Sequence, residues 1–182
     1  MRKYLSVGLM LASLIPLGVY AAAPAGSATT GLTCTKLAGT ATWTPPAPKL
    51  GSTKTVKSTV KATGTVSGCT GTKGIVSGKF TLVSKATTAG NCTTLLSSKQ
   101  ASAATSSITW SNGKKSASAK LTITPAGNAT VKIGGKVSRG TQFVGKSVGA
   151  TVVFTPLNGG CTQKDLSKAS LALKKGTKFV IK

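Results

Sequence analysis

From Leu37 onward, apolar and polar residues alternate with a period of two, the spacing that places successive side chains on opposite faces of a strand. The alternation is cleanest around Asn112-Gly113, a dipeptide suited to the positive-φ positions of a tight type I′ turn. With Ser111 paired to Lys114, Ile108, Ala117, Ala119, Leu121 and Ile123 share one face of a hairpin. Thr109, Ser116, Ser118, Lys120 and Thr122 share the other. An apolar face backed by a wet one is the pattern of an antiparallel sheet lying over a core.

The same period predicts the other strands. Leu37, Gly39, Ala41 and Trp43 form one face of a first strand, which Pro45-Pro46 and Pro48 are expected to stop because proline donates no ladder hydrogen bond. Val56, Ser58, Val60, Ala62, Gly64 and Val66 line a long second strand, with a kink or bulge expected at Gly64. A turn over Cys69–Gly74 leads to a third strand with Val76, Gly78, Phe80 and Leu82 on its apolar face. Residues 87–105 read as loop, with a short helical turn over Thr94–Ser98. Pro125–Asn128 then turns the chain, Val131–Val137 forms a strand, Gly140–Gly145 reverses it and Val148–Phe154 returns it. Leu171 and Leu173, a Lys175-Gly176 turn, and Phe179 with Ile181 complete the pattern.

Eight or nine evenly spaced strands, rich in threonine and valine and without a useful amphipathic helix, predict an all-β fold. The expected architecture is an antiparallel β-sandwich, immunoglobulin-like in layout, with a β-barrel as the alternative. The Cys92…Trp110…Cys161 spacing suits an immunoglobulin core, although Gly159 stands where such domains carry their corner tyrosine.

Arg2 and Lys3 precede an apolar run from Leu5 to Val19 and small residues from Ala21 to Ala28. This is the layout of a secretory signal peptide, and the run is short for a membrane span. We therefore expect a signal peptide over residues 1–28, cleaved between 21 and 28, and a single β-sandwich domain over 29–182. A secreted or cell-wall-associated protein with no transmembrane segment in its mature form follows. Cys34, Cys69, Cys92 and Cys161 all lie beyond the leader, and an even count in an exported chain predicts two disulfides. The sequence alone does not decide among the three pairings; the sequential one, Cys34–Cys69 with Cys92–Cys161, is favoured because it staples neighbouring segments. Zinc is the rival use of four cysteines, and the absence of His and of any CxxC pair argues against it.

The Cys-Thr elements (Cys34-Thr35, Cys69-Thr70, Cys92-Thr93, Cys161-Thr162), the Ile108–Lys114 segment and the Gly/Thr-rich strands together resemble a loose group of small exported actinobacterial β-proteins of unassigned activity. The resemblance spans most of the mature chain. It implies an exported all-β protein and transfers no functional residue.

Composition removes most catalytic chemistry. The chain has no His and one acid, Asp165, and both tyrosines (Tyr4 and Tyr20) lie in the leader. General acid–base catalysis, the Ser-His-Asp triad, paired-carboxylate glycoside hydrolysis and hard-cation sites all lack their residues. No cofactor or metal is expected. Ser58-x-x-Lys61 and Ser111-x-x-Lys114 match a Ser-x-x-Lys pattern, but the companion elements of penicillin-recognising enzymes are missing. In so lysine- and serine-rich a chain such matches arise by chance, so the expectation is a non-enzymatic protein, with a Ser/Lys hydrolase as the remote alternative. Asp165 is expected to serve as a turn or cap residue paired with a neighbouring lysine. Asn91-Cys92-Thr93 and Asn128-Ala129-Thr130 match the glycosylation acceptor pattern, and no function is ascribed to them.

Charge is what sets this chain apart. Lys and Arg total 24 against a single acid, and loss of Arg2 and Lys3 with the leader leaves a net +21. Strand lysines discourage edge-to-edge association. Glutamate would solvate a strand equally well, so solvation alone does not explain its absence. A field of this sign attracts polyanions, such as cell-envelope polymer. Arg139 is the only arginine beyond the leader, so bidentate base readout is not expected, nor is sequence-specific nucleic-acid binding. The densest run, Lys164, Lys168, Lys174, Lys175 and Lys178, is the expected polyanion-binding site. The alternative is a disulfide-stapled scaffold that contacts a protein partner and whose charge is incidental.

Overall fold

The computed structural model describes residues 31–85, 89–97, 102–127 and 129–182. The expected signal peptide lies outside the described residues, as do Ser98 of the expected helical turn and Asn128 of the expected reverse turn. Among the described residues there are ten strands and one short helix. They are β1 (Leu32–Ala47), β2 (Thr59–Thr70), β3 (Ser77–Lys85), α1 (Cys92–Ser97), β4 (Ser102–Trp110), β5 (Lys115–Pro125), β6 (Thr130–Lys136), β7 (Arg139–Gly140), β8 (Ser147–Pro156), β9 (Leu166–Leu173) and β10 (Phe179–Ile181).

All the strands belong to one antiparallel sheet, in the order β1-β2-β3-β4-β5-β6-β8-β9, and β9 returns to pair with β1 from Ala38↔Ala172 to Thr42↔Lys168. The sheet therefore closes into an eight-stranded barrel, the arrangement expected only as the alternative, rather than forming the two facing sheets of an immunoglobulin-like sandwich. Alternation of period two is common to both architectures, and only the long-range β1–β9 pairing distinguishes them. Closure also removes sheet edges, the places where a threonine- and valine-rich chain would otherwise recruit another strand. β10 continues the slot of β9, pairing with β1 through Cys34↔Phe179 and with β8 through Val180↔Gly149.

β1 begins earlier and ends later than expected, running through Pro45-Pro46 to Ala47. The prolines are accommodated where the β1–β9 register shifts, between Thr42 and Ala47. Gly64 is not a bulge, because the β1–β2 ladder is continuous through Gly39↔Gly64. The glycine is needed for close approach: a Cβ there would lie 2.6 Å from Gly39 Cα and 2.9 Å from Phe80 Cε1. Two facing glycines thus make room inside the barrel for the Phe80 ring.

The hairpin forms with its register shifted by one residue from the expected pairing. Ile108 faces Ser116 and Thr109 faces Lys115, with Gly113 rather than Asn112 at positive φ. A one-residue slip exchanges the two faces, so Ser116 and Ser118 are buried and Ala117 is half-exposed. An irregularity between Ala104 and Ser106 restores the phase, and Leu121 is buried as expected.

Each end of the barrel is stapled by one disulfide, Cys34–Cys69 at the end carrying the β2–β3 and β4–β5 turns and Cys92–Cys161 at the other. This is the sequential pairing. The first end is filled by Trp110, edge-on to Phe143 with ring centroids 5.6 Å apart and 6.4 Å from Phe179. The opposite end holds Trp43, 6.1 Å from Phe154, together with α1. Trp110 and the Cys92–Cys161 bridge therefore occupy opposite ends, and the immunoglobulin-type spacing does not correspond to a shared core. Asn91 starts α1: its Oδ1 accepts from Thr94 N–H, its own N–H donates to Thr94 Oγ1, and its Nδ2 donates to the Ser52 carbonyl. These bonds form a reciprocal helix cap.

Candidate functional site

One cavity of the barrel interior is small. The cavity bounded by Leu37, Val66, Phe80, Ile108, Ile133 and Phe179 measures about 50 Å³. An apolar void of about 150 Å³ is needed to take up benzene, and ordinary ligand sites run to several hundred. The void is what remains where aliphatic side chains and two phenylalanine rings converge from eight strands.

The two Ser-x-x-Lys matches meet different surroundings. Ser58 is buried whereas Lys61 stands exposed on the outer face of β2. Ser111 Oγ accepts from Val76 N–H at 3.0 Å and donates to the Gly74 carbonyl at 3.3 Å, which ties two turns together. Asp165 is likewise employed in the backbone: its Oδ1 accepts from the N–H of Lys49 at 3.0 Å, joining the β1–β2 and β8–β9 loops. The bond is long-range, to a peptide N–H rather than to the side chain of a neighbouring lysine. Among the described residues no group of three or more His, Cys, Asp or Glu side chains is placed to hold a metal.

The outer wall is where the unusual composition acquires geometry. In no registered strand pair among the described residues do two lysines face each other. Instead, exposed lysines stand two strands apart with a hydroxyl residue between them. Lys168–Thr42–Lys61 crosses β9, β1 and β2. Lys79–Thr109–Lys115 crosses β3, β4 and β5. On β6 and β8, Lys132 faces Thr151, whose carbonyl accepts from Lys174 N–H on the far side at 2.9 Å. Lys136 faces Ser147, which exchanges two 2.9 Å backbone hydrogen bonds with Lys182. Like charges directly opposite on a sheet repel. A separation of two strands, about 9.5 Å, exceeds the physiological Debye length of about 8 Å. The spacing keeps a dense array of cations compatible with a closed sheet.

The five lysines singled out in sequence are all exposed, but they do not form one cluster. Lys164 lies in the β8–β9 loop at the α1 end, and Lys168 belongs to the row on β1 and β2. Lys174 and Lys175 sit in a turn between β9 and β10, closed by the Thr177 N–H bond to the Lys174 carbonyl, with Gly176 at φ +77°. The Thr177 hydroxyl donates to that carbonyl at 2.7 Å. Lys178 directly precedes β10. What the fold adds to Lys174 is Lys132, with Lys136 and Lys182 in the next row. These residues lie far apart in sequence and converge only through β8.

No family model, no curated protein and no solved structure matches this chain. Among the described residues no helix is long and apolar enough to cross a membrane.

Proposed function

We propose that the chain is an exported, non-enzymatic barrel that associates electrostatically with an anionic polymer surface outside the cell, such as cell-envelope polymer. One observation carries this reading: exposed lysines occupy the wall in hydroxyl-spaced rows, and the sole acid is committed to a backbone N–H. Such a wall presents cations with little counter-charge, and its attraction to a polyanion is driven by counterion release. Two disulfides, one at each end, suit an oxidising compartment. They agree with the leader-like residues 1–28.

The test is binding of the oxidised protein, without residues 1–28, to a purified anionic envelope polymer and to a neutral polysaccharide across a salt series. The expected result is a linear, steep fall of log affinity with log salt for the anionic polymer and no binding to the neutral one. A protein partner held with an affinity independent of salt, in the absence of polymer binding, would establish the scaffold alternative instead.

A further inference from the structure

We infer that the wall formed by β6, β8 and the β9–β10 segment beside them is a ladder of anion sites that takes a single flexible phosphodiester chain lying along β8. This rests on the electrostatic reading above and assigns its ligand class and its face. Two Lys–hydroxyl–Lys rows cross β6 and β8: Lys132–Thr151–Lys174, which ends just beyond β9, and Lys136–Ser147–Lys182, which ends just beyond β10. Thr151 and Ser147 are four residues apart on the outer face of β8, about 13 Å along the strand. All four lysines are exposed. Their flexible four-carbon stems let both ammoniums of a row converge on an anion held above the central hydroxyl, which supplies a further donor.

The row between them carries almost no side chain. Gly134 faces Gly149, which faces Val180. A Cβ on Gly134 would meet nothing within 4 Å, and one on Gly149 would only touch Val180 Cγ2 at 3.5 Å. A thin chain can therefore pass from one row to the next close to the backbone.

Residue types narrow the ligand. Bidentate forks on carboxylate or phosphate call for arginine, whereas lysine binds phosphate as a point charge, and these rows contain only lysine. Bases and sugar rings are held by exposed aromatics. Here Trp43, Trp110, Phe143, Phe154 and Phe179 are buried and Phe80 lines the interior. A polyol-phosphate chain fits both facts. A rigid duplex would touch the convex wall only along a tangent.

The test compares two quadruple variants of equal charge in binding poly(glycerol phosphate): K132Q/K136Q/K174Q/K182Q on the wall, and K49Q/K54Q/K57Q/K73Q at exposed loop positions outside the rows. At physiological salt the wall variant should lose about 100-fold in affinity, and its log–log salt slope should fall by about 3, as expected for four lost contacts to a single chain. The loop variant should lose only a few-fold. S147A/T151V, which leaves the charge unchanged, should lose about 3- to 10-fold. Equal losses in the two quadruple variants would overturn the assignment of this wall, and full affinity in S147A/T151V would overturn the row as the binding unit. Equal wild-type affinity for duplex DNA and the polymer would overturn the single-chain preference. A wild-type protein that binds no polyanion would instead remove the electrostatic reading beneath the proposal.

Discussion

Trp110 Nε1 donates to Ser116 Oγ at 2.8 Å, and the same hydroxyl donates to the Gln142 carbonyl at 2.7 Å. Ser116 is 2% exposed, so one buried hydroxyl satisfies an indole N–H and a loop carbonyl at the end of the barrel. Ser116→Ala would leave both groups dry and unpaired, at about 1–3 kcal/mol for each. We expect a total loss of roughly 2–4 kcal/mol in urea unfolding followed by tryptophan fluorescence. A loss below about 1 kcal/mol would mean that water replaces the hydroxyl.

Gly64 and Gly134 should respond oppositely to the same methyl group. Gly64→Ala drives a Cβ into the β1 backbone and the Phe80 ring, and overpacking of this kind costs about 3 kcal/mol or prevents folding. Gly134→Ala points into open space and should leave stability within about 1 kcal/mol of wild type. Matched thermal melts of the two variants decide the point.

The disulfides close loops of different length, 69 residues for Cys92–Cys161 and 35 for Cys34–Cys69. Chain entropy assigns them about 4.4 and 3.8 kcal/mol respectively. The C92A/C161A double variant should therefore melt below C34A/C69A, more so because it also releases α1 from the β8–β9 loop. The reverse order would show that the unfolded chain is already restricted around residues 92–161.

Salt should stabilise the fold. With one acid in the whole chain, the compact state repels itself. Raising ionic strength from about 10 mM to about 500 mM shrinks the Debye length from about 30 Å to a few ångströms. The melting temperature should rise by several degrees over that range and level off above it. A flat or falling profile would mean that the row spacing already removes the repulsion.

Most strands were legible because period-two alternation is a local property. Phe80 and Leu82 inward with Lys79 and Thr81 outward needed only their own order in sequence. The hairpin shows where that legibility stops. Asn112-Gly113 located the turn but not its geometry; with Gly113 alone at positive φ, the pairing slips by one and Ser116 and Ser118 go inside. Polar residues on an inward face look like surface positions until their partners, Trp110 Nε1 and the Gln142 carbonyl, are known. Likewise Lys174 was visible as part of a dense run, whereas Lys132 gave no signal, because the two are related only through Thr151 of a third segment.

The sequence by itself determined most of the strands, the charge, the lack of acid–base residues and, through an even count of four cysteines, the expectation of two staples. Tertiary structure alone decided that the sheet closes on itself, that each disulfide serves one end, and that lysines from distant segments fall into rows. The physical reason is that strand formation depends on neighbours two residues away. Closure and the rows depend instead on ladder register between segments such as Thr42 and Lys168, which no local pattern encodes.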